Sequence, residues 1–144
     1  MRSMAEGQHG LVTRAQLAEL EVTRAVRRRL VDRGDLVPVG RQVFRIGGVP
    51  LTDHQRILAA CLDTGGVASH RTAAWLHRLL TGLDPLRPLE VVALRPRADA
   101  ATSIARVHST TWLPADDLVV VQGVPCLGVP RTLLSLAALV PREL

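Results

Sequence analysis

Lysine and tyrosine are absent from this 144-residue chain, and aromatic residues of any kind are scarce. The aromatic residues are Phe44, Trp75 and Trp112. Proteins that bind single-stranded nucleic acid stack the bases on several aromatic side chains, so the composition argues against that class. Common metal-dependent nuclease sites combine spaced acids with a nearby lysine, and the lack of lysine argues against those sites too.

Cysteine and long apolar runs are also scarce. Cys61 and Cys126 each lie in an apolar stretch, which indicates buried thiols in a reducing cytosol rather than a disulfide framework. The longest apolar run is interrupted by Ser135 and ends at Pro141, so it is too short to span a bilayer. Residues 1–10 lack the apolar core of a signal peptide. We therefore expect a cytoplasmic protein without a membrane partner.

Enzyme signatures are missing as well. The chain has no GxSxG motif, no Walker A loop and no dinucleotide fingerprint. His70 and His77 are seven residues apart, but no third and fourth ligands are spaced to complete a metal site. Glu90 stands alone on a predicted strand. We predict that the protein is not an enzyme and has no metal site and no cofactor.

What the chain has in excess is arginine. Its 18 arginines and 13 acids give a formal net charge of +5. Residues 1–48 hold nine arginines against five acids, whereas residues 89–144 hold five of each. A polyanionic partner is therefore expected to bind the N-terminal third of the chain.

Two helices joined by a short turn are predicted within residues 1–48. Thr13, with Gln16 three residues later, forms a capping box at the start of one helix. Thr23 caps the next helix, and Gly34 ends it in the left-handed conformation that glycine favours. This spacing is typical of a helix-turn-helix.

A first short helix is predicted over residues 2–8, and a hairpin follows the two helices. Its strands are predicted at Leu36–Val39 and Gln42–Ile46, joined by a tight turn at Gly40–Arg41. A hairpin directly after a helix-turn-helix indicates a wing. The predicted fold of residues 1–48 is therefore a winged helix-turn-helix.

The second helix has an apolar stripe of three residues spaced four apart: Val22, Val26 and Leu30. A rotation of about 100° per residue then puts Arg24, Arg27 and Arg28 on the opposite face. Arg29 and Arg33 fall near the edge of the stripe. The triplet Arg27–Arg29 is therefore predicted to divide, with Arg29 turned back toward the body.

Arginine suits DNA binding because its planar guanidinium pairs bidentately with phosphate or with guanine O6 and N7. The second helix of a helix-turn-helix is the element that enters the major groove. We predict that Arg27 and Arg28 include the base contacts, and that Arg14 and Arg41 lie nearer phosphates. The predicted DNA-binding residues are Arg14, Arg24, Arg27, Arg28, Arg41 and Arg45.

Residues 49–144 are predicted to form a helical linker followed by a small mixed α/β unit. Thr52 caps the first linker helix, and Ser69 caps the second, which extends to about Leu80. Strands are predicted at residues 89–94, 104–109 and 117–122. A last helix starts with Pro130 at its first position. The expected fold class of the whole chain is α+β.

The chain resembles the AbiEi-type antitoxin proteins over residues 8–138. The resemblance is carried by "QHGLVTRAQL", "VTRAVRRRLVDRGDLVPVGRQVFRIGG", "LTDHQRILAACL", "GGVASHRTAAWLHRL" and "GVPCLGVPRTLLSLA". It implies a winged-helix regulator that binds double-stranded DNA and represses its own operon in a type IV toxin–antitoxin system. There the antitoxin opposes a nucleotidyltransferase-like toxin without needing a tight complex.

Two alternatives stay open. Similar N-terminal regions also precede a nuclease domain resembling very-short-patch-repair endonucleases, so the chain could be the N-terminal part of such a protein. The apolar last helix could instead dock a toxin or a separate chain. Compared with both longer patterns the chain stops early, so we expect the antitoxin region to be cut short. A homodimer is a further open alternative.

Overall fold

The structure, a computed structural model, describes residues 8–48, 50–82, 84, 89–95 and 104–139. Most of the helix predicted over residues 2–8 lies outside these ranges. The elements in chain order are β1 (Leu11–Thr13), α1 (Arg14–Glu19), α2 (Arg24–Asp32), β2 (Leu36–Pro38), β3 (Val43–Ile46), α3 (Asp53–Thr64), β4 (Val67–Ala68), α4 (His70–Leu76), β5 (Glu90–Leu94), β6 (Arg106–Thr110), β7 (Leu118–Val121), β8 (Val124–Leu127) and α5 (Val129–Ala137). The protein is an α+β protein.

The first sheet has three antiparallel strands, with β3 between β1 and β2. The predicted hairpin of β2 and β3 is confirmed, and β1 is an additional strand that the sequence did not reveal. The capping box that follows β1 is also confirmed. The Thr13 side chain accepts a hydrogen bond from the Gln16 amide at 3.2 Å, and Gln16 Oε1 accepts one from the Thr13 amide at 2.9 Å.

Helices α1 and α2 share a small apolar core with this sheet. Its buried members are Val12, Leu17, Leu36 and Phe44. Val22, Leu30 and Val31 pack against them at its edge. Val26, which was predicted to point into the core, is 38% exposed instead. The packed face of α2 therefore differs from the predicted stripe.

The second sheet has five strands in the order β6-β5-β4-β8-β7. Strand β6 is parallel to β5, and β7 is antiparallel to β8. The central strand β4 is antiparallel to β5 and parallel to β8. The central strand β4 has two residues, and β8 contains Pro125. Neither strand gives a period-2 pattern long enough to be found in the sequence.

The region predicted as a helical linker contains the two predicted helices, and both pack into the main body. Helix α3 buries Ile57, Leu58 and Cys61 against the second sheet, and β4 separates α3 from α4. The same core includes Leu11 and Val43 from the first sheet, so it crosses the predicted domain boundary at residue 48. The first sheet therefore faces the main core on one side and the small core on the other.

Helix α4 ends at Leu76, four residues earlier than predicted. The reason is the left-handed conformation of Arg78, whose φ is 56°. The chain turns back there, and the Leu79 amide donates to the Ala74 carbonyl at 2.9 Å, as in a Schellman-type helix end. The last helix, α5, begins at Val129, so Pro130 is its second residue instead of its first as predicted. Within the described residues, no helix combines the length and the apolar character needed to cross a membrane.

Candidate nucleic-acid interface and a histidine–glutamate cluster

Helix α2 lies at the surface and contains no fully buried residue. Its half-buried residues are Arg27, Leu30 and Val31, which lie three and four positions apart on one face. The Thr23 side chain caps the helix by accepting from the Val26 amide at 3.3 Å. The helix therefore rests on the small core by one narrow face and exposes the rest.

The arginine triplet divides differently from the prediction. Because Val31, rather than Val26, joins Leu30 in packing, the inward face is rotated toward Arg27. Arg27 is half-buried, whereas Arg28 and Arg29 are exposed. Arg27, predicted to face outward, is therefore less exposed than Arg29, which was predicted to lie at the edge of the stripe and turn back toward the body.

The outward face of α2 is a positively charged surface. It carries three exposed arginines: Arg24, Arg28 and Arg29. In the described part of the chain, none of the three forms an ion pair. Arg33, at the end of the helix, pairs with Asp35 at 3.2 Å, and both side chains are exposed, so the pair contributes little to stability. We call Arg24, Arg28 and Arg29 the α2 arginine surface.

Arg14 and Arg41 are exposed, as their predicted role requires. Arg14 lies in the first turn of α1, with its guanidinium carbon 5.7 Å from the centre of the Phe44 ring. Arg45 is half-buried instead, and it lines a cavity with Leu51 and Leu89 from the main body. Its side chain therefore faces the junction between the two sheets rather than an outer surface of the hairpin.

The hairpin turn is held against α3. The Gln42 amide donates to Asp63 Oδ1 at 2.6 Å, and the Asp63 carboxyl also lies close against Gly40. This contact places an acid beside the turn that carries Arg41. Because a carboxylate there opposes the approach of phosphate, the α2 arginine surface is the stronger candidate for a polyanion contact.

A second set of functional groups lies on the five-stranded sheet, where His70, Glu90 and His108 converge. Each residue offers one nitrogen or oxygen ligand atom, and these atoms lie within 4.8 Å of one another. The rings of His70 and His108 are stacked with their centres 3.7 Å apart. His108 Nε2 lies 3.1 Å from Glu90 Oε1. We call these three residues the His–Glu–His cluster.

The register of β5 and β6 explains how the cluster forms. His108 lies opposite Val92, two residues along β5 from Glu90, so alternation puts Glu90 and His108 on the same sheet face. The intervening residues Val91 and Val107 face the main core. His70, the first residue of α4, lies over this face.

His70 is held in an uncommon backbone conformation. Its φ is 50°, which costs a residue with a Cβ about 1–2 kcal/mol relative to the right-handed form. Its Nδ1 lies 2.9 Å from the hydroxyl of the fully buried Ser69. Burial, with the neighbouring His108, lowers the pKa of His70 to about 4, so the imidazole is neutral at pH 7. Ser69 precedes α4 as predicted, but its hydroxyl contacts His70 instead of capping the helix.

The sequence reasoning missed this cluster because it paired His70 with the wrong histidine. His77 lies at the end of α4, where its Nε2 is 2.7 Å from the Leu127 carbonyl oxygen. Glu90 is not alone, since its neighbours come from α4 and from the next strand. An acid at the start of an apolar strand was a usable signal, but its partners depend on sheet register.

The two cysteines do not form a nucleophilic site. Cys126 Sγ is 3.6 Å from His77 Nε2, which resembles a thiol–imidazole pair. Burial, however, raises the pKa of both Cys61 and Cys126 to about 12, so neither is a thiolate at pH 7. The thiols are buried, as predicted.

Comparison with protein families finds no model that matches this chain, and comparison with curated proteins finds no match.

Proposed function

We propose that the chain binds double-stranded DNA through the α2 arginine surface. The observation that carries this proposal is the exposure of Arg24, Arg28 and Arg29 on one helix, without an acidic partner in the described residues. The helix follows α1 through a short turn and precedes a β-hairpin. This is the element order that a winged helix-turn-helix uses to put its second helix in the major groove.

The proposed interface has a centre and a flank. Arg28 and Arg29 provide the central guanidinium groups, and Arg24 extends the surface toward the first turn of α2. Arg14, which is exposed in the first turn of α1, adds a further guanidinium group. Arg41 contributes at the flank, while Arg27 and Arg45 have no direct role because both are half-buried.

The resemblance to AbiEi-type antitoxins supports a regulatory purpose for this binding. We propose that the protein acts in the cytoplasm and represses the operon that encodes it. A nucleotidyltransferase-like toxin would then be its functional rather than its tight physical partner. A reporter fused to the upstream DNA of the operon should be repressed by the protein, and unchanged expression would contradict this role.

The experiment is a fluorescence anisotropy titration of a labelled duplex from that upstream DNA over a series of salt concentrations. With roughly three to six phosphate contacts per protomer, the logarithm of the affinity should fall with the logarithm of salt at a slope of about −3 to −5. The double substitution Arg28→Ala with Arg29→Ala should weaken binding more than tenfold and reduce the slope by about 2.

The matched control is Arg78→Ala with Arg95→Ala. This pair removes the same charge from exposed positions outside α2. It should leave the slope nearly unchanged. The single substitution Arg27→Ala should have a smaller effect on affinity than Arg29→Ala. Equal losses in the α2 variant and in the control would contradict the proposed interface, as would an affinity that does not depend on salt.

A further inference from the structure

The His–Glu–His cluster has the ligand set and the spacing of a metal site. Two imidazole nitrogens and one carboxylate oxygen are ligands that suit Zn²⁺ and other divalent transition ions. Zn–N bonds of about 2.0–2.1 Å at tetrahedral angles put two ligand atoms about 3.4 Å apart. The 3.1 Å between His108 Nε2 and Glu90 Oε1 is close to that separation.

The third ligand requires a side-chain rotation. The rings of His70 and His108 are stacked with their centres 3.7 Å apart and their planes 22° apart, so one ring must rotate before both can point a nitrogen at a shared ion. All three ligand atoms already lie within 4.8 Å of one another. The same rotation must also bring the widest pair of ligand atoms to about 3.4 Å, the separation that a shared ion requires.

Hydrogen bonds from outside the cluster orient His70 and Glu90, as hydrogen bonds from neighbouring residues orient the ligands of a metal site. The Ser69 hydroxyl lies 2.9 Å from His70 Nδ1, which leaves Nε2 of that ring for an ion. Glu90 Oε2 accepts a hydrogen bond from the Arg71 amide at 3.1 Å, which leaves Oε1. In metal sites, hydrogen bonds of this kind fix the orientation of the ligating imidazole and carboxylate.

The electrostatics of Glu90 also favour a bound cation. Its carboxyl is fully buried, and the one side chain in the described residues that forms an ion pair with it is His108, which carries a charge only when protonated. Burying a carboxylate without a positive partner is costly. A divalent ion would supply that charge. The His108 side chain is 25% exposed, so one side of the cluster opens to solvent.

We propose that His70, Glu90 and His108 form a binding site for a divalent transition ion of the Zn²⁺ class. Three protein ligands leave at least one coordination position for water or another ligand, as in open zinc sites rather than closed structural ones. The site is distinct from the α2 arginine surface, and either proposal can fail without the other.

The test is calorimetric titration of the chelator-treated, full-length protein with Zn²⁺, together with the visible absorption spectrum of the Co²⁺-loaded protein. One ion per chain is expected. His108→Gln should weaken the affinity at least about 100-fold, and Glu90→Gln should do the same. Circular dichroism checks that each variant is folded. Because the His108 side chain is partly exposed and the Glu90 side chain is fully buried, His108→Gln should disturb the fold less than Glu90→Gln.

Two controls separate this site from other ligands in the chain. His54→Gln removes a histidine that packs beside Trp75 instead of Glu90, and it should leave the affinity unchanged. Cys126→Ser removes the thiol near His77, and it should also bind one ion normally. The proposal is overturned if the protein takes up no ion, if His108→Gln binds as tightly as the unaltered chain, or if affinity is lost with Cys126→Ser.

Discussion

At the scale of single residues, burial determines which chemically active side chains can react. Cys61 and Cys126 have their pKa raised to about 12 by burial. Because the thiolate is the nucleophile, raising a thiol pKa from about 9 to about 12 leaves about 1,000-fold less reactive species at pH 8. We expect both thiols to react with a disulfide reagent at least that much more slowly in the native protein than in guanidinium. A native thiol that reacts at the denatured rate would contradict this burial.

At the scale of elements, leucines on α5 and at the end of the preceding strand β8 differ sharply in burial. Leu134 is 68% exposed on the helix, whereas Leu127, at the end of β8, is buried against Val67 and Val92. Leu127→Ala should therefore lower the free energy of unfolding by about 2–5 kcal/mol. Leu134→Ala should change it by less than about 0.5 kcal/mol, because it removes little buried area.

Urea denaturation of the two variants measures this difference directly. A large loss of stability in Leu134→Ala would mean that the exposed side of α5 is covered in solution, which is what the hypothesis of a docking helix expects. Size-exclusion chromatography with light scattering would then show whether a second copy of the chain is the cover.

At the scale of the whole molecule, structure formed by residues close in sequence could be predicted, whereas pairing between distant strands could not. The capping boxes at Thr13 and Thr52 and the β2–β3 hairpin are local patterns, and the structure contains all three. The central strand β4 is too short to have a pattern, and its place depends on pairing with distant β5 and β8. The same pairing brings α3 and α4 into the main body.

The two candidate sites also differ in how far local sequence patterns could predict them. The basic surface of α2 could be located from charge and helix periodicity. Which arginines face outward depended on whether Val26 or Val31 packs with Leu30, and tertiary contacts decide that. The His–Glu–His cluster could not be assembled from spacing, because its members come from α4, β5 and β6 and meet only through the register of the second sheet.

The most direct test of the central claim is NMR mapping of DNA binding on the ¹⁵N-labelled chain. A short duplex from the upstream DNA is added in steps, and amide shift changes are recorded for every assigned residue. DNA binding through α2 predicts saturable changes that are largest between Thr23 and Arg33, with smaller ones near Arg14 and little change in β6 or α5. Changes centred on α5 and β7, or no saturable change anywhere, would contradict the proposed interface.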